Sequence, residues 1–297
     1  MPDLAVGFIG AGILGKGLAL ALSASGYRVA AVSSRTDASA RELASRIPGC
    51  SPRDSQQVAD ECGLVFVTTP DDVIGVVAGQ VLWREGQGVV HCNGTHTPQV
   101  LEPAAKRGAL AGAFHPFQTF GGLSTPEEAA GRLQGVTFSV DAPPGLRETL
   151  EEMAGRLGGR AVSVKPQDRP IYHTAAALSS GYLIAVIKAS ADLWEMIGAS
   201  REEALSTILP LARAALASLE SAGIQGGVTG PLVRADEGTV RRHLEALQER
   251  APHLAPLYCA LARESLPLAR ERVGGERADV MDRLLREFEG GRREALS

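Results

Sequence analysis

The segment from Leu4 to Arg35 constrains the fold of this 297-residue chain more than any other. An apolar run, Leu4-Ala5-Val6-Gly7-Phe8-Ile9, leads into Gly10-Ala11-Gly12-Ile13-Leu14-Gly15. A helix of small residues follows to Ser25, then a second apolar run, Tyr27-Arg28-Val29-Ala30-Ala31-Val32, and then Ser33-Ser34-Arg35. Strand, glycine loop, helix and strand in that order make a βαβ unit, and the glycine spacing gives each glycine a task. Gly10 allows the tight turn out of the strand, Gly12 lets the backbone approach a pyrophosphate, and Gly15 lets the helix pack close to the sheet. Ile13 and Leu14 then stand in the first helical turn, whose N–H groups point at the phosphates. The unit predicts a dinucleotide site.

The position after the second strand selects the cofactor. An acid there binds the ribose hydroxyls of NAD and repels a phosphate. This chain instead has Ser33, Ser34, Arg35 and Thr36, hydroxyls and a guanidinium that suit a 2′-phosphate, so the expected cofactor is NADP (NADPH). In the alternative, Arg35 is a solvated loop residue and Asp37 takes the ribose.

The length accommodates two domains, and 44% hydrophobic residues is the content of an ordinary globular protein. A net charge of -4 argues against a general nucleic-acid or anionic-membrane binder, which needs a basic face. Cys50, Cys62, Cys92 and Cys259 show no CxxC pair, and neither they nor the six histidines have metal-ligand spacing. No metal is expected, and a reduced cytoplasm is the expected compartment. Asp3 stands where a signal peptide would carry basic residues. Residues 171–187 lack Asp, Glu, Lys and Arg. They include Tyr172, His173, Thr174, Ser179 and Ser180 and are interrupted by Gly181, which predicts a helix buried between subunits or domains rather than a membrane span.

Short apolar runs at 63–68, 88–92, 110–114, 136–140 and 160–164, with a short strand near Cys50, alternate with helical stretches. That pattern predicts a doubly wound α/β domain with a parallel sheet. Lys165-Pro166-Gln167-Asp168-Arg169-Pro170 marks the expected boundary, giving a nucleotide-binding domain over 1–165 and an all-helical domain over 166–297. Helices are expected at 171–197, 201–222, 236–250, 254–272 and 278–289, kinked by Pro210 and Pro267 and ending in a frayed surface tail from Arg286.

A nucleotide-binding domain entering an all-helical domain through one long helix resembles the superfamily of ketopantoate reductase, pyrroline-carboxylate reductase and the 6-phosphogluconate dehydrogenase group. Three strings sharpen the resemblance. His91-Cys92-Asn93-Gly94 with Phe114-His115-Pro116-Phe117-Gln118-Thr119-Phe120, then Tyr172-His173-Thr174-Ala175-Ala176-Ala177, then Thr229-Gly230-Pro231-Leu232-Val233-Arg234 with Val240-Arg241-Arg242-His243-Leu244, look like a bacterial family of Rossmann-like proteins with a C-terminal helical domain of unknown function. The resemblance implies an NADP-dependent reductase of a small oxo acid or imino acid, with ketopantoate-type reduction as the concrete case. The small residues Ala175, Ala176, Ala177, Ser179, Ser180 and Gly181 permit close helix approach, which reads as core packing first and as a dimer or domain interface second, and a homodimer through the C-terminal helices is expected.

Hydride transfer needs the nicotinamide positioned, the substrate anchored and a proton supplied. Ligands of such sheets lie beyond the carboxyl ends of the strands, where Thr69-Pro70, Asn93 and His115 are expected. Asn93 is either a nicotinamide contact or an ordinary turn residue before glycine. The proton donor is expected to be His115 or His173, and Cys92 lacks a visible base to make it a nucleophile. Ser180, Thr229 and Arg234 are candidate substrate contacts, though for Arg234 a surface ion pair is the preferred reading. In the dehydrogenases that the chain resembles, a lysine followed by asparagines at helical spacing faces the nicotinamide. Here His173 takes the lysine's place and Ala177 and Gly181 the following positions, a departure that encourages a second reading, a non-catalytic NADP-binding sensor. A dimerisation scaffold with a vestigial nucleotide fold is the third.

Overall fold

The computed structural model describes residues 4–295, with side chains through Glu289; Asp3 lies outside the described residues. Eight strands form one sheet: β1 (Ala5–Ile9), β2 (Arg28–Ser33), β3 (Ser51–Pro52), β4 (Leu64–Val67), β5 (Gly88–His91), β6 (Leu110–Pro116), β7 (Thr137–Asp141) and β8 (Arg160–Val162). Their order is β3-β2-β1-β4-β5-β6-β7-β8. Neighbouring strands are parallel except β6 and β7, which run antiparallel, so the wholly parallel sheet expected from the sequence is corrected at that pair. The helices of this unit are α1 (Ile13–Ala24), α2 (Asp37–Ser45), α3 (Ser55–Glu61), α4 (Ile74–Gln80), α5 (Glu102–Ala105), α6 (Pro126–Arg132), α7 (Leu146–Arg156) and α8 (Arg169–Ser179). They cover both faces of the sheet, which is why its central strands read as continuous apolar runs.

The two faces differ in chemistry. On one, Phe8, Phe66, Phe114 and Phe138 stack in sequence at ring separations of 5.3, 5.9 and 4.4 Å. On the other, Val65, Val67 and Val89 are packed with Ile74 and Leu101, but the register then places polar residues side by side. His91 pairs with Ala113, Ala113 with Asp141, and His115 with Ser139. Side chains of paired residues share a face, so β5, β6 and β7 carry a polar patch at their carboxyl-end side of β6.

The first compact unit runs through Gly181 and the second begins at Tyr182. The boundary expected at 165/166 is therefore displaced, because α8 packs with the sheet unit. The long helix expected over 171–197 is two helices, α8 and α9 (Gly181–Met196), broken at Ser180 (φ −127°, ψ −85°). Within the helical stretch Pro166–Met196, 31 residues long, an 18-residue window reaches a mean hydropathy of 1.3, long and apolar enough by composition alone to cross a membrane. Within the single chain only Arg169 of α8 and Ala191 of α9 are buried.

The second unit continues with α10 (Arg201–Gly227), α11 (Glu237–Arg250), α12 (Ala255–Val273) and α13 (Gly275–Ala295). Ser200 caps α10 in a capping box with Glu203. The helical geometry of α10 departs at Gly223 (φ 66°), not at Pro210. A core of the second unit packs Leu232, Val240, Leu244, Met281, Leu284 and Leu285, outside α10. The tail expected to fray from Arg286 remains helical through Ala295.

Candidate active site

The glycine loop is built as its spacing requires. Gly10 has φ +115°, and a Cβ there would stand 2.6 Å from the Thr68 carbonyl. The Gly10 N–H donates to the Ser33 carbonyl at 2.8 Å, while the Thr68 hydroxyl donates to the Gly10 carbonyl at 2.7 Å. The turn is thereby tied to strands on both sides. A Cβ at Gly15 would lie 2.5 Å from the Gly10 carbonyl oxygen, so only glycine lets α1 start this close to the loop. Gly12, in contrast, faces open space.

That space is a groove of about 480 Å³ lined by Gly10, Ala11, Gly12, Ser33, Ser34, Arg35, Thr36, Thr68, Thr69 and Pro70, together with apolar Val73 and Val77. No side chain caps the N-terminus of α1 or of α2, leaving their first-turn N–H groups for a ligand. The Thr69 hydroxyl is buried without a hydrogen-bond partner. These features fit a dinucleotide. Arg35 is exposed at the rim, whereas Asp37, the alternative ribose ligand, is engaged with Arg41 at 2.6 Å. Ser39, Ser55 and Thr68 join the lining unforeseen. Their signal was only their place just after a strand or at a helix start.

At the carboxyl end of β6, His115 Nδ1 is hydrogen-bonded to the Tyr172 hydroxyl at 2.8 Å. Its ring centroid lies 6.4 Å from that of His173. Gly94 closes the group, since a Cβ there would stand 2.8 Å from His115 Nε2 and 2.9 Å from His173 Cδ2. Burial, reinforced by His173 and Arg169, pushes His115 down to about 4 against a smaller opposing pull from Asp71. The ring is neutral at pH 7. The two candidate proton donors thus lie together, and Tyr172 joins them as hydrogen-bond partner.

Behind them stands His91, buried at the end of β5, which sequence reading missed as an active group. Its Nδ1 accepts the Asn93 N–H at 3.1 Å and its Nε2 donates to the Thr97 carbonyl at 3.2 Å. Burial pushes it down to about 4. The ring fixes the loop that Asn93 then folds, because Asn93 Oδ1 accepts from the N–H groups of Thr95 and His96 at 2.7 and 2.6 Å. The turn role of Asn93 is the one the geometry displays, and only its amide N–H groups are left to meet a ligand.

Arg169 enters the polar patch from α8, fully buried, with its nearest anion at Asp141 Oδ2, 3.5 Å away. Of the remaining candidates, the Ser180 hydroxyl donates to the Ala176 carbonyl at 2.7 Å, and so is used within its own helix. Thr229 and Arg234 are exposed in the second unit, 3.5 Å apart. Burial pushes the Cys92 thiol up to about 12, which keeps it from nucleophilic use.

Residues 1–116 match the family model of the Rossmann-like domain, and residues 136–265 match that described as Domain of unknown function (DUF2520). The sheet unit has a Rossmann-like fold, of which β7, β8, α7 and α8 fall within the second match. Comparison with curated proteins returned no match. Among solved structures, a Bacteroides fragilis protein provisionally named an NADP oxidoreductase is 26% identical, with a TM-score of 0.67, covering 89% of this chain and 98% of its own. A reductive aminase from Aspergillus terreus, solved with NADPH, cyclohexanone and allyl amine, is 19% identical at a TM-score of 0.61, covering 94% of this chain and 98% of its own. The pyrroline carboxylate reductase of Plasmodium falciparum, solved with NADP bound, is 13% identical at a TM-score of 0.58, covering 95% and 99%. The last two likenesses are of fold.

Proposed function

We propose that this chain is an NADPH-dependent reductase of a small oxo acid or imino acid, with ketopantoate-like 2-oxo acids within its range. One observation carries the reading: the groove lined by the glycine loop and Ser33 to Arg35 opens along the same carboxyl edge of the sheet that holds Gly94, His115 and Tyr172. The NADP named with the similar Bacteroides, Aspergillus and Plasmodium proteins agrees with it.

The first-turn N–H groups of α1, from Gly12, Ile13 and Leu14, would hold the pyrophosphate. Ser34, Arg35 and Thr36 would hold the 2′-phosphate, and Thr69, Pro70 and the Asn93-Gly94 turn would flank the nicotinamide end. When bound, the cofactor supplies a hydride. The chain itself supplies polar groups at the developing oxyanion or amine, His115 and His173, while the apolar Val73 and Val77 side of the groove excludes water.

The protein is proposed to work as a homodimer through its C-terminal helices. Tyr182 and Ile184 on α9 and Leu211 and Leu216 on α10 are exposed, an amount of apolar surface that a soluble monomer rarely leaves to water. A second reading, an NADP-binding sensor without chemistry, is favoured by Ala177, which places no polar side chain one turn beyond His173 on α8, and by Gly181, which has no side chain at the start of α9.

Titration with NADPH and NADH by nicotinamide fluorescence, followed by NADPH consumption with 2-oxo acids and cyclic imines, tests the proposal. NADPH-selective binding with turnover supports it. Selective binding with no turnover across the panel supports the sensor, and no binding of either nucleotide overturns both.

A further inference from the structure

A reductase site must deliver a proton, yet the imidazole best placed to do so is one that does not charge. His115 is boxed by Tyr172, His173 and Arg169 from α8, by Asp71 after β4, by His91 on β5, and by Ser139 and Asp141 on β7. Its burial and the adjacent guanidinium disfavour an imidazolium. A neutral imidazole can still pass a proton, provided that it takes one at one nitrogen as it gives one from the other. At Nδ1 it has such a source, the Tyr172 hydroxyl at 2.8 Å.

The direction of that hydrogen bond follows from what surrounds the phenol. Arg169 and Tyr172 lie three residues apart on α8 and so share a face. The Ser139 hydroxyl also faces the phenol, and the nearby guanidinium, which makes no hydrogen bond to it, is positive, so the phenol oxygen's lone pairs are favoured toward Ser139 and Arg169 and its hydrogen toward Nδ1. His115 must then carry its own hydrogen on Nε2, the nitrogen beside Gly94. Glycine at 94 keeps the approach to that nitrogen clear, because any Cβ would stand 2.8 Å from it.

Arg169 is the least explained group in this unit. It is wholly buried, and its Nε, Nη1 and Nη2 have no hydrogen-bond acceptor, with Asp141 merely within ion-pair range at 3.5 Å. A fold that buries a guanidinium with unfilled donors has a use for its charge. An anion forming beside it would fill them.

We propose that Tyr172, His115 and Arg169 form a proton relay, in which His115 gives its Nε2 proton to the substrate, Tyr172 refills Nδ1, and the buried guanidinium of Arg169 stabilises the phenolate left behind. This rests on the reductase reading. As the reductant's electron pair reaches the carbonyl or imine carbon, the π pair moves onto oxygen or nitrogen, which takes the proton from Nε2. The N–H bonding pair stays in the ring, and the Nδ1 lone pair takes the phenolic proton. The ring ends as the other neutral tautomer and Tyr172 carries one negative charge; a solvent proton then enters at Nε2 as the Nδ1 proton returns to the phenolate, which restores both groups. Burial pushes the Tyr172 phenol up to about 12, against a pull downward from the Ser139 hydroxyl and then from Arg169, so the phenolate is a transient species that both groups favour.

The test begins without cofactor or substrate. Nitrogen-15 NMR of the full chain, with the His115 resonance assigned by His115→Gln, reads the tautomer directly. The relay requires the neutral Nε2–H form from pH 7 down to pH 5, and loss of that single tautomer in Tyr172→Phe. An Nδ1–H ring in the unmodified protein, or protonation of His115 at its ordinary pKa, overturns the relay whatever the enzyme reduces. Once a substrate is in hand, Tyr172→Phe and Arg169→Met should each slow reduction roughly a hundredfold at unchanged NADPH affinity, while Arg169→Lys restores most of the rate. Equal losses in Arg169→Met and Arg169→Lys would assign Arg169 a packing role and overturn its part. Failure to reduce any compound, with the Nε2–H tautomer present, would count against the reductase reading and leave the hydrogen-bond geometry standing.

Discussion

At the scale of the residue, cofactor choice turns on Arg35. Its guanidinium sits at the rim of the groove while Asp37 is held by Arg41, so Arg35→Ala should weaken NADPH binding about 10- to 100-fold, the value of a charge-assisted pair, and NADH binding by less than about threefold. Fluorescence titration of both nucleotides checks this, and equal losses would move the 2′-phosphate elsewhere. The two buried histidines make a second residue-scale prediction. His91 and His115 are pushed from 6.5 to about 4 by burial, so the unfolded chain binds protons between those values that the folded chain refuses. Stability is full above pH 6.5 and falls as the pH drops toward 4. Urea midpoints measured from pH 7 to 4.5 should decline, and His91→Gln, though less stable at pH 7, should show a shallower decline. Gly10 was legible from sequence because its requirement, a positive φ after a strand, is local. Tyr172 was not legible as the partner of His115, since the two are 57 residues apart and no local pattern records their pairing.

At the scale of the element, α1 is held on two sides by the absence of side chains. Gly15 presses on the glycine loop, and a Cβ at Gly17 would meet the Ala129 Cβ of α6 at 2.6 Å and its backbone carbonyl carbon at 2.9 Å. Overpacking at such a contact costs about 1–3 kcal/mol. Gly17→Ala should lower the thermal midpoint while keeping NADPH affinity, because α6 can shift without moving the loop. Gly15→Ala, whose Cβ meets the Gly10 carbonyl itself, should abolish binding, and calorimetry with nucleotide titration separates the two. The strands were readable as apolar runs to within a few residues. The direction of β7 was not, because a short covered strand reads the same in either sense, and only its pairing with β6 shows which way it runs. The break at Ser180 was legible only as the interruption at Gly181, because one glycine does not by itself end a helix, and the backbone angles at Ser180 decide that it does here.

At the scale of the whole molecule, exposed apolar residues on α9 and α10 predict a dimer. Sedimentation should give about twice the 31.1 kDa chain mass, and Ile184→Glu with Leu211→Glu should shift it toward the monomer without unfolding it, as both side chains are exposed. A monomer in the unmodified protein would send that surface to another occupant. The amino-acid sequence alone determined the βαβ unit, the glycine tasks, the position of the cofactor edge and the helical character of the second half. Each of these rests on local periodicity, on a backbone conformation or on residue type within one turn. The tertiary structure alone decided that α8 belongs with the sheet, that His91, His115, Ser139 and Asp141 share one face, and that Arg169 is buried against it. Burial and charge proximity are set by which distant strands and helices pack together, and a guanidinium reads the same in sequence whether water or protein surrounds it.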